Sequence, residues 1–401
     1  MTTHPTIPDR EHPPGAEPSA WAAVATVALG IFALMTTELL PAGLLTPIGA
    51  DLSVTDGTAA LMVTVPGLVA AASAPAVTVV LGQWDRRAVL TGLIALMTVA
   101  NAVCAWADEF AVVLAARVLV GVGIGGFWAI AGGLAPRLVP ARHVPRATAI
   151  VFGGVSTASV LGVPLGTLLG DLLDWRSAFL AVAGLGLVSF TLLLILLPPL
   201  PARAAIRFTD LSTLLRRHGG VRAGVLLTVF LVTGQFTSYT FVRPLLTEVA
   251  GFDAALTGVL LLGYGAAGIG GNFLAASGRD VRRTLFAITS LLTLALSVFA
   301  LLGGVSPVAV TALLLWGLAY GGVSVSLQTW MLRTAPEATE AATSLFVCAF
   351  NLSIALGALL GGLVADSLTV AATPWFSAAV VALTAAVLMG ARPRPHRKES
   401  S

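Results

Sequence analysis

Stretches of about 20 almost wholly apolar residues recur along this chain from Trp21 to Met389, and that recurrence limits its folds more than any other feature. A hydrocarbon core about 30 Å thick is crossed by roughly 20 helical residues at about 1.5 Å each. Twelve stretches meet the requirement, the first at 20–45, the fifth at 146–170, the tenth at 306–331 and the last at 371–391. Composition agrees: 57% of residues are hydrophobic and 10% charged, against roughly a quarter charged in a soluble domain. The expectation is an all-α integral membrane protein with twelve transmembrane helices.

The longest interior polar segment, Pro199–Gly220 (PLPARAAIRFTDLSTLLRRHGG), divides the spans six and six. The expected organisation is a tail at 1–19, a six-helix bundle at 20–198, a linker at 199–222, a second six-helix bundle at 223–391 and a tail at 392–401. Phe208 to Arg217 within the linker is amphipathic and predicts a helix on the membrane surface. A shift of 196 residues places Arg86-Arg87 on Arg282-Arg283, Gly121 on Gly317 and Gly125-Gly126 on Gly321-Gly322. A shift of 195 places Gly162 on Gly357 and Gly166 on Gly361. The near-constant offset predicts a duplicated six-helix unit.

The net charge of +3 does not point to nucleic acid, because the basic residues are dispersed among short loops. With the N-terminus inside, all 22 lysines and arginines except Arg117, Arg176 and Arg243 fall in inside segments. That asymmetry predicts a multi-pass protein of the plasma or inner membrane with both termini cytoplasmic. Residues 1–19 lack a strong basic n-region and lead into a span too long for a signal peptide, so helix 1 is expected to stay uncleaved.

Cys104 and Cys348 lie in spans far apart and read as core packing rather than a disulfide or metal pair. All five histidines fall in polar segments, so no metal centre or intramembrane acid–base cluster is expected. Neither an enzyme nor a cofactor is expected. No G-x-x-x-x-G-K-[ST] loop is present, which turns a transport reading away from ATP.

Two basic pairs after spans 2 and 8, in a six-plus-six arrangement, resemble the major facilitator superfamily over essentially the whole chain. The span 4 segment Arg117-Val-Leu-Val-Gly121-Val-Gly123 resembles the family's R-x-x-x-G-x-G motif. On span 5, Gly162-Val-Pro164-Leu-Gly166-Thr-Leu-Leu-Gly170 is similar to the proline- and glycine-containing signature of the drug:proton antiporter branch, with Thr167 where a second glycine is usual. Gly82-Gln-Trp-Asp85-Arg86-Arg87 and Gly278-Arg279-Asp280-Val-Arg282-Arg283 resemble degenerate copies of the loop motif. TELLPAGLL on span 1 and Thr233 to Pro244 on span 7 resemble sugar-efflux and chloramphenicol-type exporters.

The resemblance implies a monomer whose two halves rock about a midplane site, with helices 1, 4, 7 and 10 lining the cavity. It implies proton-coupled efflux of small amphipathic, drug-like or antibiotic-like compounds. A sugar or metabolite exporter, or an uncoupled facilitator, is the alternative within transport. A receptor or channel is the alternative of another class, separated by saturable, gradient-dependent flux.

Glu38 is the one carboxylate well inside a span, where charge costs several kcal/mol. It and Arg117 both fall about seven residues, roughly 10 Å, from the same face, and can meet. Such a carboxylate is the expected proton carrier, with Arg117 tuning it; the bland reading is a local cap for Glu38 and a snorkelling Arg117. Gly121, Gly125, Gly162, Gly166 and Gly170 recur every four residues, and with Pro164 they suit close helix packing or a gate. Trp316, Tyr320, Ser324 and Gln328 form one stripe on span 10, and Gln235 shares a face with Tyr239 on span 7. With Asn351 and Trp128 they are the candidate substrate contacts, against packing or interhelical bonding. Asp85, Arg86, Arg87, Asp280, Arg282 and Arg283 read as topology determinants or as a cytoplasmic latch.

Overall fold

A computed structural model describes residues 17–54, 56–59, 61–202 and 207–390. Among them all regular structure is helical, as an apolar solvent requires of a chain that must satisfy its own backbone. The spanning segments are α1 (Glu17–Leu39), α2 (Leu61–Val80), α3 (Arg86–Trp106), α4 (Phe110–Ala131), α5 (144–172), α6 (Trp175–Leu196), α7 (Gly219–Tyr239), α8 (Ala254–Ser277), α9 (Val281–Leu302), α10 (306–334), α11 (Thr339–Ser367) and α12 (Thr373–Gly390). A separate helix, Phe208–Arg217, lies in the linker where amphipathicity placed it.

By length and composition eleven of the twelve are apolar enough to cross a membrane. The fifth consists of helices Val144–Thr157 and Val163–Leu172 joined by a π turn, Ala158–Gly162. Pro164 removes one N–H from the ladder, and a π turn just ahead of it is how a helix absorbs such a defect. The first span is also shorter than its apolar run. Its α-helix ends at Leu39, two residues before Pro41, and the chain continues as a 3-10 turn, Leu40–Gly43, and a short helix, Leu45–Asp51. A residue preceding proline is pushed out of the α region. Glu38 therefore sits in the last turn of α1, at the break, and not seven residues inside a longer helix.

Packing repeats between the halves. α4 lies on α2 as α10 lies on α8, α5 on α1 as α11 on α7, and α3 on α6 as α9 on α12. The repeat-related glycines make these approaches. A Cβ on Gly121 would stand 2.7 Å from the Pro66 carbonyl oxygen, and one on Gly317 would meet the Tyr264 carbonyl. Gly125 and Gly321 face the carbonyls of Ala70 and Gly268 in the same way. Gly162 abuts Thr36 of α1, and its mate Gly357 would place a Cβ 2.6 Å from the Thr233 carbonyl of α7. Gly170 packs on Leu44, while the surroundings of Pro164 and Gly166 fall outside the described residues. The halves meet along α2 with α11 and α5 with α8.

Four aspartates, Asp85, Asp174, Asp253 and Asp280, cap α3, α6, α8 and α9 by accepting backbone N–H groups. Large apolar side chains such as Leu187, Ile195, Leu301 and Leu359 stand exposed on the outer surface, as lipid-facing positions would. The face carrying the linker is called the linker face below, and its opposite the far face.

Candidate functional site

Polar chemistry inside the bundle gathers in three places. Near the far face of the first half, Arg117 of α4 is fully buried. Its Nε donates to the Met62 carbonyl at 2.8 Å, Nη1 to the Thr37 carbonyl at 2.9 Å and Nη2 to the Glu38 carbonyl at 3.4 Å. Two of these carbonyls are orphans for a stated reason. The helical partner of Met62 C=O would be the N–H of residue 66, and that of Thr37 C=O the N–H of residue 41. Both positions are proline and have no N–H to give. Arg117 thus supplies the donors that two prolines withhold, and it braces α4 to α1 and α2.

The guanidinium does not bond the Glu38 carboxylate. Glu38 is half-buried, and its Oε2 is shielded from solvent without a hydrogen-bond partner among the described residues. Asn101 of α3 donates through Nδ2 to the Oγ1 of Thr37, the residue before Glu38, at 3.1 Å and to the Met97 carbonyl at 2.9 Å, leaving Oδ1 unpartnered among the described residues. Periodicity brought Glu38 and Arg117 together but missed Asn101. An amide inside an apolar span was the signal available.

The second group lies in the other half. Trp316 Nε1 donates to Gln235 Oε1 at 2.6 Å, and Gln235 Nε2 donates to the Tyr264 hydroxyl at 2.8 Å. Tyr239 stacks on Tyr264 with centroids 5.1 Å apart, and Trp316 meets both edge-on at 6.3 and 6.0 Å. Phe236 joins Tyr320 to the cluster at 6.2 Å. All three tyrosines of the chain are gathered here. Gln235, Tyr239, Trp316 and Tyr320 were expected; Tyr264, on α8, was not.

The other residues grouped with them lie elsewhere. α10 is two helices, Ser306–Gly321 and Val323–Thr334, meeting at Gly322. That break interrupts the stripe running from Trp316 to Gln328. Gln328 instead donates to Thr343 of α11 at 2.8 Å, its side chain close to Gly132 at the end of α4. Asn351 bonds the Val347 carbonyl of its own helix, and Trp128 packs on Phe152 at 5.1 Å.

The third group is at the linker face. Arg86, 1% exposed, forms a two-pronged ion pair with Glu340 of α11 and also donates to the carbonyls of Leu81, Gly82 and Trp84. Arg137 adds a contact to Glu340 at 3.6 Å. Arg87 bonds the Leu194 carbonyl, and Arg282 bonds the Leu388 carbonyl at 2.7 Å. Both of those contacts stay within one half. Asp85 and Asp280 are occupied as helix caps, and the carboxylate seen to join the halves among the described residues is Glu340.

The sequence matches the model of the Major Facilitator Superfamily over residues 27–344. The chain belongs to the major facilitator superfamily. It is 38% identical over 392 residues to "Transcription regulatory protein OpdE" of Pseudomonas aeruginosa, covering 96% of each chain. It is 34% identical over 370 residues to "Purine ribonucleoside efflux pump NepI" of Salmonella typhimurium, covering 92% of this chain and 93% of that one. Among solved structures it resembles the human organic anion transporter MFSD10, with a TM-score of 0.76, 18% identity and coverage of 94% and 100%. The proton:xylose symporter XylE is similar, with a TM-score of 0.72, 14% identity and coverage of 94% and 97%. As a major facilitator the chain is a transporter, and its two pseudo-equivalent halves have diverged in chemistry. The position matching Arg117 at the 196-residue shift is the buried Leu313, so the intramembrane guanidinium is confined to the first half and the aromatic–amide cluster to the second.

Proposed function

We propose that the protein is a proton-coupled exporter that alternates access between the two membrane faces, binding its substrate against the aromatic cluster of the second half and its proton at Glu38. The observation that carries this reading is the shielded, unpartnered Oε2 of Glu38. A carboxylate oxygen in apolar surroundings without a donor is a place where a proton can be held and released as the cavity opens to one side or the other. Arg117, bonded to three main-chain carbonyls, sets the local field without quenching that carboxylate in a direct pair.

The linker face is read as cytoplasmic from the bias of basic residues, and the Arg86–Glu340 pair as a contact that holds this face shut. The substrate is a small, partly apolar compound with a flat ring. The similarity to a purine ribonucleoside efflux pump favours nucleoside-like molecules over sugars. The protein works as a monomer in the inner membrane.

The test is reconstitution of wild type and Glu38→Gln in proteoliposomes, recording internal pH as nucleosides, antibiotics and sugars are added. Substrate-evoked proton movement in wild type alone is the expected result. Equal behaviour of the two would remove Glu38 from coupling. Similarity to a protein named as a transcription regulator favours a membrane sensor as the second reading, and saturable flux of any solute would eliminate it.

A further inference from the structure

We propose that Tyr264 reads a hydrogen-bond acceptor on a planar ring of the transported compound, its hydroxyl committed to donating by a directional chain that begins at Trp316. The inference rests on the aromatic cluster being the substrate surface.

An indole N–H can only donate. The Gln235 atom 2.6 Å from Trp316 Nε1 is therefore the carbonyl oxygen, and the amide nitrogen must be the atom 2.8 Å from the Tyr264 hydroxyl. An amide nitrogen also only donates, so the Tyr264 oxygen accepts and its own proton points elsewhere. Among the described residues no protein acceptor takes that proton. Gln235 and Trp316 are both fully buried, and rotating the amide would set its NH2 against the indole N–H, two donors facing each other at the Trp316 end. The polarity of the chain is thus locked from Trp316 to Gln235 to Tyr264.

The surroundings restrict what can use this donor. Tyr264 is stacked by Tyr239 and edged by Trp316, while the rings of Tyr239 and Tyr320 are only half-buried. Aromatic faces and edges suit a flat ring, and a fixed donor selects a ring nitrogen or carbonyl over a C–H or N–H at the same place. A saturated sugar lacks the flat face, and a flat hydrocarbon lacks the acceptor. The ligand class is a planar heterocycle bearing an acceptor on its edge.

The experiment is counterflow in proteoliposomes with matched pairs of planar compounds that differ in one acceptor: purine nucleosides against their 7-deaza analogues, and quinolinyl against naphthyl amines. Wild type should prefer the acceptor-bearing member by about tenfold, the scale of one hydrogen bond left unmade. Tyr264→Phe keeps the ring and should bring the ratio to about one while the acceptor-free member is still carried. Gln235→Met frees the hydroxyl to accept as well as donate and should lower the ratio without reaching one. An undiminished preference in Tyr264→Phe, or no preference in wild type, overturns the inference and leaves the aromatic cluster as the binding surface. Preference in the quinolinyl pair alone upholds it while removing nucleosides as the substrate. Transport of none of the planar compounds overturns both the inference and the surface on which it rests.

Discussion

Arg117 bonds the main-chain carbonyl of Glu38 and leaves that residue's carboxylate oxygen Oε2 unpartnered. The arginine's stronger bonds go to Met62 and Thr37, the carbonyls stranded by Pro66 and Pro41. This makes it a structural brace whose charge acts on Glu38 at one remove. Arg117→Leu should cost about 3 kcal/mol of stability, because buried carbonyls lose charged donors. In a Pro41→Ala/Pro66→Ala background the same substitution should cost less, since each alanine N–H restores the missing helical bond. Thermal unfolding of the four proteins in detergent gives the coupling directly, and strict additivity would refute the assignment.

Close approach of α4 to α2, and of α10 to α8, predicts a sharp contrast between glycines. Gly125→Ala and Gly321→Ala would each drive a methyl into a neighbouring helix backbone. Overpacking of this kind costs about 1 to 3 kcal/mol and here meets carbonyls that cannot turn away. Gly92, on α3, has nothing within 4 Å of where its Cβ would be, so Gly92→Ala should be neutral or stabilise by up to about 1 kcal/mol. Folded yield and melting temperature of the three variants decide the matter.

How far these arrangements were legible in the sequence depends on which neighbours they need. Apolar run length and the 196-residue offset gave the twelve spans and the paired glycines, because both are properties of one helix or of one repeat. The amphipathic period gave the linker helix for the same reason. Pro41 was visible too, yet the run continued past it, and apolarity alone does not report where a helix stops. Tyr264, Asn101 and Glu340 escaped because each matters through a residue on another helix. Nothing in the period of α8 says that position 264 will face Gln235 of α7, and nothing in α11 says that Glu340 will reach Arg86. The charge of Asp85 reads as a topology determinant or part of a latch, and its place at the head of α3 adds a use the charge alone does not show, a helix cap.

At the far face, Trp175 and Arg176 both donate to Asp51, at the end of the short helix following α1, and Arg176 also reaches Asp108 at 3.2 Å. These bonds hold the Asp51 carboxyl below the usual carboxylate range. A group depressed in this way stabilises the fold above its unfolded value near about 4 and loses that contribution as pH falls through the folded value. The melting temperature of wild type should therefore exceed that of Asp51→Asn at pH 7, with the gap narrowing below about pH 4. A gap independent of pH would mean that the carboxylate charge plays no part.

Glu340 contacts both Arg86 and Arg137, and through them it joins α11 to the first half. Removing one partner of a buried pair leaves the other charge uncompensated, and Arg86 has only 1% exposure with which to recover solvent. The relief available to the protein is to separate the halves at the linker face, where water can reach the guanidinium. Glu340→Gln should therefore raise the population open on that side. A cysteine at Thr343, beside Gly132 and Gln328 across the same seam, would report it in a background lacking Cys104 and Cys348. The rate of labelling by a membrane-impermeant thiol reagent applied from the linker side should rise several-fold with Glu340→Gln, and Glu340→Asp should restore part of the protection. Arg282→Gln, whose partner Leu388 lies within the same half, should leave the rate unchanged. Equal acceleration by both substitutions would indicate general loosening of the face in place of a specific contact between the halves.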